Sequence, residues 1–131
     1  MVIDTSALVA ILLNEAEASR LVTAIASSHA RLVATPTLVE ASAVMRSRKG
    51  PGGEVALDAL LRRLDAETLP FSNDAARLAR LGYSLFGKGV GSPGVLNYGD
   101  CLAYGAAMAS GQPLLFKGED FGRTDVMVAA Y

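Results

Sequence analysis

The sequence predicts an α/β protein in which a parallel sheet is sandwiched between helices. Short apolar runs that suit buried strands occur at residues 1–3, 31–34 and 113–116. Between them lie longer segments in which apolar residues recur every three or four positions, the spacing of an amphipathic helix. Strands that alternate with helices form βαβ units, and the parallel sheet they build is covered on both faces. Since 51% of the 131 residues are hydrophobic and no internal repeat is present, we expect a single domain over residues 1–131.

Capping and turn signals give the boundaries of the elements. Thr35-Pro36 is a cap followed by proline, and it begins a helix that the glycine-proline segment 50–53 ends. Asn73 and Asn97 cap later helices. The predicted helices are 7–13, 16–26, 35–49, 54–64, 73–86 and 97–110, and the further strands are 68–71 and, as a strand or tail, 126–130. Residues 87–96 contain four glycines and no periodicity, so we predict a loop there.

Cysteine and histidine are scarce, which excludes several kinds of site. Cys101 is the single cysteine, so no internal disulfide forms, and without a histidine partner it is predicted to be a packing residue. His29 is the single histidine, which removes histidine-based zinc sites and Ser-His-Asp triads. No apolar run approaches the roughly 20 residues that span a bilayer, and no secretory signal is visible. We therefore expect a cytoplasmic protein.

Four carboxylates fall where the predicted topology brings segments to one edge of the sheet. Asp4 follows the first strand, Glu40 lies early in the helix after the second, Asp100 lies near the start of a buried helix, and Asp120 follows the strand at 113–116. Each acid also has a purely structural interpretation. Asp4 is a helix cap, Glu40 closes a capping box if Thr37 is the cap, and the two others suit a helix start or a turn.

Taken together, the four acids favour a metal site over four separate caps. Two carboxylates 4 Å apart repel each other by about 4 kcal/mol for an effective dielectric constant near 20. A fold accommodates them when protons or cations neutralise the charge. Hard oxygen ligands without histidine select Mg²⁺ or Mn²⁺, and such ions activate water for phosphodiester hydrolysis.

Four features occur in chain order: MVIDTSAL at residues 1–8, the helix residue Glu40, NYGDCLAY at residues 97–104 and LLFKGEDF at residues 114–121. Together they resemble a PIN-domain ribonuclease of the kind found as the toxin of VapBC toxin–antitoxin modules. The resemblance implies a parallel sheet of strand order 3-2-1-4-5 between helices. It also implies cleavage of RNA with Mg²⁺ or Mn²⁺ and a cognate antitoxin that wraps the toxin.

Carried over residue by residue, the resemblance assigns the metal-site acids to Asp4, Glu40, Asp100 and Asp120, with Ser6 as a polar supporting residue. This chain departs from the family pattern ahead of the last acid. Many PIN domains carry Ser or Thr and then Asn in that region, where this chain has Phe116 and Gly118. The departure leaves open whether Asp120 or the nearby Asp125 takes the fourth place.

Charge and hydropathy bear on the partners. With four carboxylates neutralised by cations, the formal net charge of −1 becomes +3, which is compatible with RNA. Lys88 in the loop 87–96 is a candidate phosphate contact, and the alternative is that this loop is a mobile connector. A mean hydropathy of +0.33 is high for a soluble monomer, so we expect a homodimer and an antitoxin groove near residues 39–44 and 55–64.

Other functions fit the sequence less well. A phosphoryl-transfer enzyme that forms an aspartyl phosphate also begins with an Asp at a strand end, but it requires a second Asp at the position of Ser6. An RNA-binding module needs aromatic residues among basic ones, and aromatic residues make up only 6% of this chain. The remaining alternative is a catalytically degenerate PIN-like module that binds RNA or protein.

Overall fold

The structure, a computed structural model, describes all 131 residues and has a parallel sheet at its centre. The strands are β1 (Val2–Ile3), β2 (Leu32–Ala34), β3 (Glu67–Leu69) and β4 (Leu114–Leu115). They lie in the order β3-β2-β1-β4, and each neighbouring pair is parallel. Both residues of β1 are fully buried, as expected for a central strand covered on both faces.

Six α-helices and one 3₁₀ turn surround the sheet. The helices are α1 (Thr5–Leu12), α2 (Ala18–Ala26), α3 (Thr35–Lys49), α4 (Pro51–Arg63), α5 (Asn73–Phe86) and α6 (Tyr98–Ser110), and the 3₁₀ turn is Phe121–Arg123. The predicted alternation of strands and helices is therefore confirmed. No helix is both long enough and apolar enough to cross a membrane.

The two faces of the sheet carry separate apolar cores, because successive strand residues point to opposite sides. Ile3 packs with residues of α1 to α4, among them Leu8, Leu21 and Leu57. Val2 packs instead with α6 and the segments beside it, including Tyr104. This arrangement is the predicted sandwich, and it holds the carboxyl ends of the strands at one edge.

The predicted fifth strand is almost absent. Residues 126–130 lie beside β4, as the order 3-2-1-4-5 requires, but they contribute a single bridge between Leu114 and Val128. Val126 and Ala129 are buried whereas Met127 and Val128 are exposed. This spacing of three differs from the alternation of an extended strand, so the ladder does not continue.

Several helix starts differ from the prediction: α1 begins at Thr5 and not at residue 7, α2 begins at Ala18 and not at residue 16, and Ser72, not Asn73, caps α5. Ala34, not Thr35, precedes α3 as its cap, and the Thr35 hydroxyl instead accepts a hydrogen bond from the backbone N–H of Phe71 at 3.2 Å. The helix α4 begins at Pro51, not at residue 54, and includes the glycine at 53. A Cβ atom at Gly53 would lie 2.2 Å from the carbonyl oxygen of Met45, so only glycine allows α3 and α4 to approach this closely.

Candidate active site

Asp4 lies at the junction of β1 and α1 and is only 4% exposed. Its Oδ2 accepts hydrogen bonds from the backbone N–H of Ser6 at 2.9 Å and from the Ser6 hydroxyl at 2.6 Å. The Ser6 hydroxyl in turn accepts a hydrogen bond from the backbone N–H of Lys117 at 2.9 Å. Asp4 therefore caps α1, as the structural interpretation requires, and Ser6 connects it to the end of β4.

The pKa of Asp4 is raised to about 6, mainly by burial and also by the charges of Asp100 and Glu40, against the opposing hydrogen bonds from Ser6. Both acids, from α3 and α6, are thus close enough to the end of β1 to act on Asp4 electrostatically. Negative charge is thus concentrated at the predicted edge of the sheet.

Glu40 lies in α3, well beyond its first turn, and forms no capping box with Thr37. Its Oε2 accepts a hydrogen bond from the hydroxyl of Thr5 at 2.6 Å. A Cβ atom at Gly99 would lie 2.5 Å from Glu40 Oε1, so the glycine leaves the space that this carboxylate occupies. Glu40 is therefore held between the start of α1 and the start of α6.

Asp100 forms a capping box with Asn97 at the start of α6. The Asp100 Oδ2 accepts a hydrogen bond from the Asn97 N–H at 2.7 Å, and Asn97 Oδ1 accepts one from the Asp100 N–H at 2.9 Å. Burial raises the pKa of Asp100 despite the Asn97 hydrogen bond and the charge of Lys88, and the charges of Asp120 and Glu40 add to the rise. The capping role and the position among the acids are both present.

Asp120 is half-exposed just before the 3₁₀ turn, and its Oδ2 lies 3.6 Å from Nζ of Lys88. Lys88 belongs to the loop 87–96, whose two ends are bridged at Gly87 and Leu96. Further backbone hydrogen bonds close this loop, including one from the Lys88 N–H to the Leu96 carbonyl at 2.8 Å. These contacts join the two ends of the loop, and the ammonium of Lys88 lies at the acidic edge.

Asp125, the alternative fourth acid, is engaged elsewhere. It accepts a hydrogen bond from the Tyr104 hydroxyl at 2.8 Å. Asp120 lies beside Lys88, and its charge contributes to the raised pKa of Asp100. The structure therefore brings Asp120 to the acidic edge and pairs Asp125 with Tyr104.

Each of the three innermost acids binds the protein through one oxygen. The oxygens Asp4 Oδ2, Glu40 Oε2 and Asp100 Oδ2 accept the hydrogen bonds described above, and the second oxygen of each accepts none from the protein. No group of three or more acidic, histidine or cysteine side chains is placed to hold one metal ion in this arrangement. The acids share one edge of the sheet but are not gathered around a single point.

The acidic edge reaches the surface at the exposed Asp120, and none of the five main cavities is lined by Asp4, Glu40 or Asp100. The largest cavity, of about 920 Å³, lies at the opposite end of the sheet and is lined by residues of α2 and the chain end, among them Arg20 and Tyr131. An open edge suits a polymeric substrate better than an enclosed pocket does. We therefore place the site at the edge from its chemistry and not from the size of the cavity.

Sequence reasoning missed three contributors to this edge. The hydroxyl of Thr5 donates a hydrogen bond to Glu40, a contact that no local sequence pattern predicts. Gly99 leaves space beside the start of α6, and the carboxylate of Glu40 fills it. The backbone of Lys117 gave no signal in the sequence.

Comparison with known proteins places the chain in a family. The model of the PIN domain family matches residues 1–127. Ribonuclease VapC30 of Mycobacterium tuberculosis is 47% identical over 130 residues, which cover 99% of this chain and 98% of that protein. Ribonuclease VapC of Mycolicibacterium smegmatis is 48% identical over 126 residues, which cover 96% of this chain and 97% of that protein.

Two solved structures have the same fold. VapC20 of Mycobacterium tuberculosis, described as a sarcin-ricin loop cleaving toxin, has a TM-score of 0.76 at 15% identity, covering 96% of this chain and 95% of that one. VapBC2 of Rickettsia felis, bound to a DNA fragment from their promoter, has a TM-score of 0.74 at 20% identity, covering 97% and 94%. With a family match over nearly the whole length and relatives at almost half identity, this chain belongs to the PIN-domain family and, within it, to the VapC ribonucleases.

Proposed function

We propose that the chain is a single-domain, Mg²⁺- or Mn²⁺-dependent endoribonuclease that acts in the cytoplasm as the toxin of a type II toxin–antitoxin module. One observation carries the proposal. Asp4, Glu40 and Asp100 come from three separate elements to one edge of the sheet, and each leaves one oxygen without a hydrogen bond from the protein. The relatives that share nearly the whole chain bear the name ribonuclease.

The residues at this edge fit a hard divalent cation. The donors are carboxylate oxygens without histidine or cysteine, the set that Mg²⁺ and Mn²⁺ prefer. Asp4, Glu40 and Asp100 would hold the ion, with Asp120 as the fourth acid. When bound, the ion supplies an acidic water and neutralises charge that develops on the scissile phosphate.

Other residues of the chain orient the carboxylates and contribute to RNA binding. Ser6, Thr5 and Asn97 each form a hydrogen bond with one carboxylate and so set its orientation at the edge. Lys88 places a positive charge beside Asp120 and Asp100, where a phosphate of the RNA would approach. These residues account for binding and orientation, and the acids account for the need for a cation.

Exposed apolar surface indicates where an antitoxin and a second copy of the chain would bind. A groove of about 310 Å³ between α1 and α4 is lined by Ile11, Leu12, Ala56, Ala59, Leu60 and Arg63. It suits the apolar face of an antitoxin helix. Val39 is 70% exposed and Tyr98 77% exposed, and apolar surface of this kind beside the site supports the homodimer that we propose. An antitoxin arginine that reaches the acids would pair with them and compete with the cation.

The test is cleavage of RNA by the purified protein with Mn²⁺, with Mg²⁺ and with chelator. We expect cleavage only with a divalent ion and its loss in Asp4→Ala, Glu40→Ala and Asp100→Ala. Asp120→Ala should have a weaker effect because its carboxylate is half-exposed and already paired with Lys88. Asp58→Ala on the exposed face of α4 is the control. Binding of RNA without cleavage under any ion would instead support the degenerate binding module.

A further inference from the structure

Lys117 connects the turn between α1 and α2 to the acidic edge. Its Nζ donates a hydrogen bond to Glu15 Oε2 at 2.5 Å and lies 3.3 Å from Glu17 Oε2. All three side chains are about two-thirds buried or more. Glu17 Oε2 is buried without any hydrogen-bond donor, so the ammonium of Lys117 is its compensating charge.

The backbone of Lys117 reaches the site directly. Its N–H donates to the Ser6 hydroxyl at 2.9 Å, and that hydroxyl donates to Asp4 Oδ2 at 2.6 Å. The hydroxyl hydrogen of Ser6 points to Asp4 because the Lys117 N–H occupies the acceptor side of the same oxygen. The orientation of Asp4 thus depends on where the backbone of residue 117 lies.

Lys117 also marks the point where the chain leaves the core. Phe116 before it is buried, whereas Gly118 after it is exposed and has a φ of +114°. Gly118, Glu119 and Asp120 are all exposed, and the turn that they form lies between the buried Phe116 and Phe121, whose rings pack together. Lys117 is the partly buried residue that begins this turn.

From these contacts we propose that Lys117 is a positioning residue. Its ion pairs with Glu15 and Glu17 fix the backbone N–H that orients Ser6 and, through Ser6, Asp4. The same ion pairs hold the base of the turn that carries Asp120. The inference rests on the proposed ribonuclease function, but the positioning role of Lys117 affects metal affinity, which can be measured without RNA.

The experiment compares Lys117→Met and Lys117→Arg with the wild type in the full chain. We measure the Kd for Mn²⁺ by calorimetry without RNA, and kcat and KM for a cleaved RNA oligonucleotide. Lys117→Met should weaken Mn²⁺ binding and lower kcat by about 10-fold to 100-fold, the usual effect of losing a group that orients a metal ligand. KM should stay near the wild-type value, and Lys117→Arg should restore both affinity and kcat because it keeps the charge.

A double-mutant cycle separates positioning from general stability. If Lys117 acts through Ser6, Lys117→Met in a Ser6→Ala background should add little to the loss of Mn²⁺ affinity. Full additivity would overturn the inference, as would a Lys117→Met protein with wild-type Mn²⁺ affinity and kcat. Arg77→Met, which breaks an exposed ion pair with Asp74 on α5, is the matched control and should change neither quantity.

Two further outcomes separate the positioning role of Lys117 from a loss of folding and from a failure of the proposed function. If Lys117→Met does not fold, Glu15→Gln is used instead, because it removes one ion-pair partner of Lys117 and keeps the other, Glu17. The double-mutant cycle of Glu15→Gln with Ser6→Ala then tests whether the ion pair acts on Mn²⁺ affinity through Ser6. A wild type that cleaves no RNA would refute the proposed function, while the Mn²⁺ affinities would still test the positioning role.

Discussion

At Gly99 the start of α6 passes close beside the carboxylate of Glu40. We predict that Gly99→Ala lowers the kcat for RNA and the affinity for Mn²⁺ by about 10-fold or more, as for other groups that orient a ligand. A Cβ atom would lie 2.5 Å from Glu40 Oε1, and the end of this flexible side chain must move away from Thr5. The thermal midpoint in chelator should hardly change.

Gly52→Ala is the matched control, because a Cβ atom at Gly52 meets no atom within 4 Å. Wild-type cleavage and Mn²⁺ affinity in Gly99→Ala would show that the position of Glu40 does not matter. A large loss of stability would show instead that the start of α6, and not the carboxylate, cannot adjust.

Asp4 makes the stability of the metal-free protein depend on pH. Its pKa is raised to about 6 from an ordinary value of 3.8, so between these values the folded protein holds more protons than the unfolded chain. The free energy of unfolding should therefore fall as pH rises from about 4 to 7, by on the order of 2–3 kcal/mol from this group. Asp100, whose pKa is also raised, adds to the same slope.

Urea denaturation in chelator across this pH range measures the effect. In Asp4→Asn the fall should be much smaller, because the group no longer titrates. Mn²⁺ at pH 7 should restore stability to the wild type by binding only the folded state, and less so to Asp4→Asn. Equal slopes in the two proteins would contradict the raised pKa of Asp4.

At the residue scale, sequence predicted the acids but not what holds them. Asp4 and Ser6 are two positions apart, so local capping rules apply to their contact. The hydrogen bond between Thr5 and Glu40 joins residues 35 positions apart, and no local pattern specifies it. Such contacts depend on how α1 and α3 pack, which periodicity alone does not determine.

At the scale of elements, the loop 87–96 has no helical or strand periodicity, yet backbone hydrogen bonds join its two ends. Glycine content alone left its mobility open. In the structure the N–H groups of Val95 and Leu96 both donate to the Phe86 carbonyl, at 2.8 and 2.9 Å, and bring the ends of the loop together. In this arrangement Lys88 lies beside Asp120.

This geometry predicts the salt dependence of RNA binding. The test uses the Asp4→Ala background, which prevents cleavage, and there Lys88→Ala should weaken RNA binding. The slope of the logarithm of the RNA association constant against the logarithm of the salt concentration should become less steep by about 0.7, the value for one phosphate contact of a single strand. Binding is measured by fluorescence anisotropy at several salt concentrations. Arg20→Ala, at the opposite end of the sheet beside Tyr131, is the control. An unchanged slope would remove Lys88 from the RNA path.

The strands β1 to β4 were predicted well and the segment 126–130 was not. Buried parallel strands are continuous apolar runs, and the runs at β1 and β4 lie inside the core on both faces. The last segment has the same apolar composition, but it lies at the edge beside β4, where only some of its residues are covered. Composition alone does not distinguish an edge tail from a strand.

At the scale of the whole molecule, the two faces of the sheet have different surroundings. One face is covered by α6 with α5 packed against it, and this packing is close because a Cβ atom at Gly105 would lie 2.3 Å from the Ala75 carbonyl oxygen. On the other face, α1 and α4 leave the apolar groove that contains Ala56 and Ala59. Sequence predicted apolar surface around residues 55–64, but only the packing shows which side chains remain exposed.

The groove predicts how the toxin is neutralised in cells. We expect the protein alone to arrest growth and co-expression of its cognate antitoxin to restore it. Ala59→Glu should weaken the complex, because a carboxylate in the groove loses hydration when the apolar face of the antitoxin helix covers it. RNA cleavage should be unchanged, since Ala59 is exposed on α4 and contacts none of the acids.

Ala59 is a better probe than its neighbour Leu61, which is half-buried and packs against the core, so that a charge there would also destabilise the fold. The measurements are growth with and without antitoxin and the Kd of the purified complex. Asp58→Asn, exposed on the same helix but outside the groove, is the control. If the antitoxin rescues cells that express Ala59→Glu as fully as the wild type and binds both with equal Kd, the antitoxin does not occupy this groove. If the chain is harmless on its own and cleaves no RNA, it does not act as a toxin.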